Sequence, residues 1–341
     1  MINLKKIGVS ALAGSLAMFS AHAAEYTLSG DAEVAWGSAE GNHIDNEAAN
    51  GKGIGTDMDL YFNASGELDN GWTVSFFQAM NTHAGAAAVT MTSSQVTMGM
   101  GSLGTLRLSN EFGSAANGID DILPRAYEEV WHSAAHTSIQ NDFGRATAEG
   151  SVTYTSPTLE FMGVSMSLAA DYDPAANVAA ADASALTSNT KGVSGEAFVA
   201  KFSHDIGLQI GLGYEDINPA NAETTGEKNT TGYIQYAAGP IAIAYQQMFR
   251  NSANGGADAE GDSYGISYTA GDMSFSYNKM EDKTKEISAV AESATAEMTS
   301  YSASYTMGAM TIAAQLWKTD NVDNTVGDDH EATEISASFA F

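Results

Sequence analysis

The chain has 341 residues, 42 Asp plus Glu against 14 Lys plus Arg, a formal net charge of −28 and no cysteine. The acidity disfavours nucleic acid as a partner, because phosphate binding needs a basic surface. The lack of cysteine excludes a disulfide framework, thiolate metal sites, iron–sulfur clusters and a cysteine nucleophile.

Residues 1–23 read as a signal peptide. Lys5 and Lys6 form a basic start, residues 7–21 are uncharged and largely apolar, and Ala21-His22-Ala23 places small residues where a signal peptidase reads them. Cleavage is expected after Ala23 or, second, after Ala24. The apolar run falls short of the roughly 20 residues of a membrane-spanning helix. Removal takes away two lysines and no acids, leaving 12 − 42 = −30 on the mature chain. An exported, acidic, cysteine-free chain points to a Gram-negative envelope.

From residue 24 onward no stretch of about 18 apolar residues remains, so helical spans are excluded. The dominant period is two. Tyr26, Leu28, Ala32, Val34 and Trp36 alternate with Thr27, Ser29, Asp31, Glu33 and Ala35, and Leu208, Ile210, Leu212 and Tyr214 alternate with Gln209, Gly211, Gly213 and Glu215. Such a strand has one apolar and one polar face. Sixteen segments of this kind are expected: 25–36, 55–67, 71–81, 91–100, 104–110, 147–155, 163–172, 194–204, 207–216, 229–237, 240–250, 261–269, 272–281, 297–306, 309–319 and 331–341. Connections after even segments are short, among them 101–103, 156–162, 205–206, 238–239, 270–271 and 307–308. Those after odd segments are long, the longest being 111–146. Tight turns at one end and loops at the other are the asymmetry of a bacterial outer-membrane barrel. The expected fold is therefore all-β: residues 24–341 form a 16-stranded antiparallel transmembrane β-barrel, closed because every backbone group in lipid must pair. Sixteen strands enclose water rather than a packed core.

Three short motifs carry a family resemblance. The start Glu25-Tyr26-Thr27-Leu28-Ser29-Gly30-Asp31-Ala32 resembles the opening strand of the general diffusion porins of alphaproteobacteria. Gly104-Thr105-Leu106-Arg107-Leu108, leading into the longest loop, is similar to that family's fifth strand. Ile335-Ser336-Ala337-Ser338-Phe339-Ala340-Phe341 resembles the last strand whose terminal aromatic is read by the outer-membrane assembly machinery, which makes Phe341 the candidate assembly signal. The resemblance implies a homotrimer of water-filled barrels with a long third loop folded inward.

That loop, about 111–146, has Ile119, Ile122, Leu123, Tyr127, Val130 and Trp131 at roughly helical spacing. It also holds Glu111, Asp120, Asp121, Glu128, Glu129 and Asp142, with Arg125 and Arg145 as its bases. If it folds inward as the resemblance implies, the channel narrows there, with Arg107 as the opposing wall base. On the strands, Asp31, Glu33, Asp57, Asp59, Asp171, Glu215 and Glu334 share the lumen parity with Arg107, Lys201 and Arg250. Rings of acids select cations, so cation preference is expected. Leu106, Leu108, Phe198, Phe202, Ile241, Ile243 and Tyr245 take the opposite, lipid-facing parity.

No enzyme is expected. His132 and His136 are four apart but lack the glutamate of a metalloprotease motif. Ser203 and His204 are adjacent on a strand and face opposite ways. Acidic groups at Asp320, Asp323, Asp328 and Asp329, and at Asp45 and Glu47, suit at most weak calcium binding without EF-hand spacing; no other metal or cofactor is expected. The functional expectation is an outer-membrane porin for passive diffusion of ions and small hydrophilic solutes, with lipid, lipopolysaccharide and its own copies as partners. A substrate-selective channel, for example for sugars, or a surface adhesion barrel is the alternative.

Overall fold

Strands in lipid have no water to satisfy their backbone N–H and C=O groups, so a spanning sheet is stable only when its two edges meet. The computed structural model describes residues 25–42, 50–81, 90–110, 113–133, 135–136, 138–139, 143, 150–176, 193–218, 226–253, 256–285 and 294–341. The expected signal segment, Asp45, Glu47, Glu111, Asp142 and Arg145 lie outside the described residues.

The strands are β1 (Glu25–Gly41), β2 (Gly51–Glu67), β3 (Thr73–Asn81), β4 (Thr90–Gly99), β5 (Thr105–Asn110), β6 (Ser151–Thr155), β7 (Leu159–Phe161), β8 (Val164–Ala176), β9 (Val193–His204), β10 (Leu208–Ile217), β11 (Glu227–Ala238), β12 (Ile241–Asn251), β13 (Asp258–Ala270), β14 (Met273–Lys285), β15 (Ala296–Met307), β16 (Met310–Asp320) and β17 (Asp329–Ala340). Every neighbouring pair is antiparallel, and β6 and β7 both pair with β8 as two halves of one stave. The sheet thus has sixteen staves, and β1 pairs with β17 from Asp31↔Ala340 to Gly41↔His330 to close it. Just below that seam the Phe341 N–H donates to the Gly30 carbonyl at 2.8 Å, and the Gly30 N–H donates to the Phe341 carbonyl at 3.1 Å.

The split stave corrects the expectation for 156–162. That stretch is not a connection. Pro157 has no N–H to donate, so the ladder lapses over 156–158. Ser156 bridges the lapse, its N–H donating to the Leu168 carbonyl at 2.8 Å and its Oγ accepting from the Leu168 N–H at 3.0 Å. Pairing then resumes over Leu159–Phe161, and the turn shrinks to Met162 and Gly163. The first two strands also run further than their periodicity suggests, to 17 residues each.

Burial is inverted relative to a water-soluble domain. Leu28, Leu212 and Tyr301 are 69%, 56% and 55% exposed, whereas Glu215, Asn229, Gln246 and Ser263 are all fully buried. A continuous exposed apolar belt of this kind marks a membrane surface. The registers keep all the apolar rungs on one side: Ile243 pairs with both Tyr236 and Ile266, and Tyr301 with both Tyr277 and Leu316.

Deleting Phe341 removes two backbone hydrogen bonds from the seam, about 1–3 kcal/mol at ~0.5–1.5 kcal/mol each. Replacing Phe341 by Asp keeps both. Urea titration of the barrel in detergent should show a clearly lower midpoint for the deletion than for the substitution.

Candidate functional site: a segment held against the polar face

Between β5 and β6 the described residues of 113–143 include a short 3₁₀ turn, Asn117–Ile119, and otherwise run mostly as irregular backbone. The expected helical spacing of the apolar residues does not become a helix. Ile119, Leu123 and Val130 are nonetheless buried. They pack with Ile139 and Phe143 against Val199, Tyr233, Ala244, Met248, Met280 and Met298 of the wall. The polar face therefore carries an apolar patch. Two glycines make room for it: a Cβ on Gly213 would lie 3.0 Å from Ile119 Cδ1, and one on Gly261 only 2.7 Å from Ile139 Cγ2.

Irregular backbone removed from water must find partners outside itself. Here the wall supplies them. The Ala115 N–H donates to Asp171 on β8 at 2.9 Å, and the Ser114 hydroxyl donates to Glu215 on β10. Gln246 on β12 uses both ends of its amide, donating to the Ile119 carbonyl at 2.7 Å and accepting from the Ile122 N–H at 3.3 Å. On β14, Ser276 accepts from the Ala126 N–H at 3.0 Å and Asp282 from the Ile139 N–H at 2.8 Å. Gln315 on β16 repeats the two-ended grip on Glu128, at 2.8 and 3.0 Å, and the Trp317 indole donates to the Glu129 carbonyl at 2.8 Å. The Tyr127 hydroxyl meets Glu33 on β1 and Glu334 on β17.

The acids of the segment are crowded and half-desolvated. Burial pushes the Asp120 carboxyl up to about 7, with the adjacent Asp121 charge adding to the shift. Burial raises Asp121 to about 6 against the opposing pull of Arg125. Burial and the hydrogen bond with Glu129 push Glu128 up to about 8. Glu129 moves down: burial opposes this, but the hydrogen bond from Glu128 and the Arg125 charge outweigh it. Arg125 lies 2.7 Å from Asp121 and 2.6 Å from Glu129.

The wall residues fall into two groups. Asp31 pairs with Asp59 and Glu33 with Asp57, so four carboxylates occupy two adjacent rungs of β1 and β2 on the polar face. Arg107 faces the same side and meets the start of the segment, donating to the Gly113 carbonyl at 3.5 Å. It donates to Thr153 Oγ1 at 3.0 Å and lies 3.9 Å from Asp171, whose side chain is fully buried. Arg107 thus lies between a wall acid and the start of the segment, and among the described residues Arg125 is the base paired with the segment's acids. Lys201 stands on the rung of Ser167, and Arg250 donates to the Ala257 carbonyl at 3.2 Å.

His132 and His136 do not share a site. The His136 ring is buried, accepting at Nδ1 from the Asp323 N–H at 3.0 Å, with Nε2 3.3 Å from Asp282. His132 instead approaches Glu128 and Glu129, and the three ligand atoms lie within 4.8 Å of one another. Arg125 already supplies the cation there. Gln246, Gln315, Ser276 and Asp282 are wall groups that sequence reasoning missed. The signal for Gln246 and Gln315 is a long polar side chain in the middle of a polar parity otherwise built largely of Ser, Thr, Gly and Ala; Ser276 carries no such signal.

A closed sixteen-stave barrel, apolar outside and polar inside, with polar side chains gathered on its inner face, is an outer-membrane channel protein. Residues 8–297 match the model of the Gram-negative porin family, and the chain belongs to that family. It is thus a porin of the outer membrane, in a family without enzymatic activity. Its fold is similar to an anion-selective porin from Comamonas acidovorans, with 16% identity, a TM-score of 0.67 and coverage of 94% of this chain and 100% of that one. It is also similar to a loop-deleted form of OmpT, an outer membrane protein of Vibrio cholerae, with 10% identity, a TM-score of 0.66 and coverage of 94% and 100%. A mutant Rhodopseudomonas blastica porin gives 12% identity, a TM-score of 0.59 and coverage of 93% and 100%. No curated protein matches the sequence.

Gln246→Leu removes both amide bonds and leaves the Ile119 carbonyl and Ile122 N–H without partners, at ~1–3 kcal/mol for each buried group. Protease added to folded barrels in detergent should cleave within 111–146 markedly faster in this variant, with the β-rich circular dichroism unchanged.

Proposed function

We propose that this porin is a passive, cation-preferring diffusion channel for ions and small hydrophilic solutes, narrowed by 111–146 acting as an infolded third loop. The observation that carries the reading is the imbalance of charge on the polar face. Asp31, Glu33, Asp57, Asp59 and Glu334, together with Asp120, Asp121, Glu128 and Glu129 on the loop, outnumber Arg107, Arg125, Lys201 and Arg250. A narrow passage lined by carboxylates enriches cations and depletes anions. The anion selectivity named for the Comamonas relative does not transfer, because 16% identity carries fold and not lining charge.

Several further features belong to the same reading. The chain is exported with residues 1–23 removed, inserted through recognition of Phe341 by the assembly machinery, and works as a homotrimer of the alphaproteobacterial type among lipid and lipopolysaccharide. Glu111 joins the constriction acids. Phe341 suits the assembly role because its side chain is 74% exposed at the end of the closing strand.

In a KCl gradient the reversal potential should report cation preference, weakening as salt rises because charges are screened over about 10 Å at 0.1 M. Replacing Asp120, Asp121, Glu128 and Glu129 together by their amides should move that potential toward zero; anion preference in the unmodified protein would refute the reading.

Acidity should tune the same quantity. A carboxyl whose pKa is raised is neutral below that value and charged above it. With Glu128 at about 8 and Asp120 at about 7, cation preference should grow as pH rises from 6 to 9. Glu128→Gln with Asp120→Asn should flatten that dependence.

A further inference from the structure

The loop does not cover the polar face evenly. Between residues 114–118 and the wall formed by β4, β5, β6, β8 and β9 lies a niche of about 470 Å³. That is within the roughly 300–1,000 Å³ typical of small-molecule sites. In a chain with three times as many acids as bases, its lining holds Arg107 and Lys201 and no carboxylate. The acid that answers Arg107 is Asp171, which sits buried behind it and is engaged by the Thr153 hydroxyl and the Ala115 N–H.

Lys201 is the group that calls for a ligand. The ammonium groups of Lys228, Lys279 and Lys318 lie 3.2, 2.8 and 2.9 Å from carboxylates. Lys201 lines the niche and has no ion pair or hydrogen bond among the described residues. Lys201 is exposed to the water of the niche, where its charge and that of Arg107, with no carboxylate in the lining, favour an anion. The remaining lining asks for more than a bare anion. Gln95 lines the niche with a carboxamide, which can donate to and accept from a ligand hydroxyl. Thr97, Thr105 and Ser167 add hydroxyls around it.

We infer that this niche is a binding subsite for small hydroxylated carboxylates of the sugar-acid class, with the carboxylate on Lys201 and Arg107 and the hydroxyls on Gln95 and the threonine and serine side chains. The inference rests on the channel reading above, since a solute reaches the niche through the lumen. It gives an acid-lined passage one place where an anionic solute is held rather than repelled.

Glucuronate, with glucose and acetate as comparators, tests it on the intact porin in planar bilayers. Glucuronate should interrupt the current at a half-blocking concentration at least tenfold below those of glucose and acetate. Lys201→Gln should abolish most of that advantage, and Lys201→Arg should restore it. Thr97→Val with Ser167→Ala should narrow the gap between glucuronate and acetate. Equal effects of glucuronate and glucose, or an undiminished advantage in Lys201→Gln, overturn the subsite; acetate matching glucuronate overturns the sugar-acid class. Saturation-transfer NMR of glucuronate with the detergent-solubilised protein makes the same comparison without conduction. Binding by a chain that opens no channel would sink the channel reading alone, whereas normal conduction without glucuronate binding would sink the subsite alone.

Discussion

Every backbone N–H and C=O withdrawn from water must be paired, and this requirement organises both layers of the molecule. In the wall it is met by a ladder that runs through all sixteen staves and joins its own beginning at β1 and β17. Against the wall it is met differently. The described residues of 113–143 have little repetitive structure, so several of their carbonyls and N–H groups are satisfied one by one by side chains projecting from the strands. Gln246 and Gln315 are suited to this because a carboxamide offers a donor and an acceptor together, as a peptide unit does.

The interior is not uniformly polar. Met248, Met280 and Met298 sit at positions whose parity alone would make them water-facing, and they meet Ile139 and its neighbours there. Unbranched, polarizable side chains fit an irregular partner well. Polar grips set the position of the segment and apolar contacts hold it down. Its carboxylates are left in a partly desolvated setting, where Asp120 and Glu128 hold protons at unusually high pH.

Much of the wall was readable from the chain because a strand with one lipid face and one wet face repeats every two residues, and sixteen such repeats with alternating connections leave few architectures. The reading failed where a local cue had a non-local remedy. Pro157 signals a turn, but Ser156 and Leu168 carry the stave across it. The spacing of Ile119, Leu123 and Val130 suggests a helix, yet Gln246 binds Ile119 from 127 residues away. Arg107 stands at the start of the loop, beside the Gly113 carbonyl, and the acid near it, Asp171, lies on β8, beyond the whole loop in sequence. Nothing within a few residues of these positions reports such partners.

The alternation of faces along each stave also separates two kinds of selection. A substitution on the outward rung is judged by lipid, one on the inward rung by water and solute, and neither side chain touches the other. Each surface can accumulate changes while the ladder between them stays intact. That freedom accounts for porins that share this chain's fold over more than nine-tenths of its length while agreeing at only 10–16% of positions. It also means that a lineage can rewrite what its pore admits without relearning how to enter the membrane.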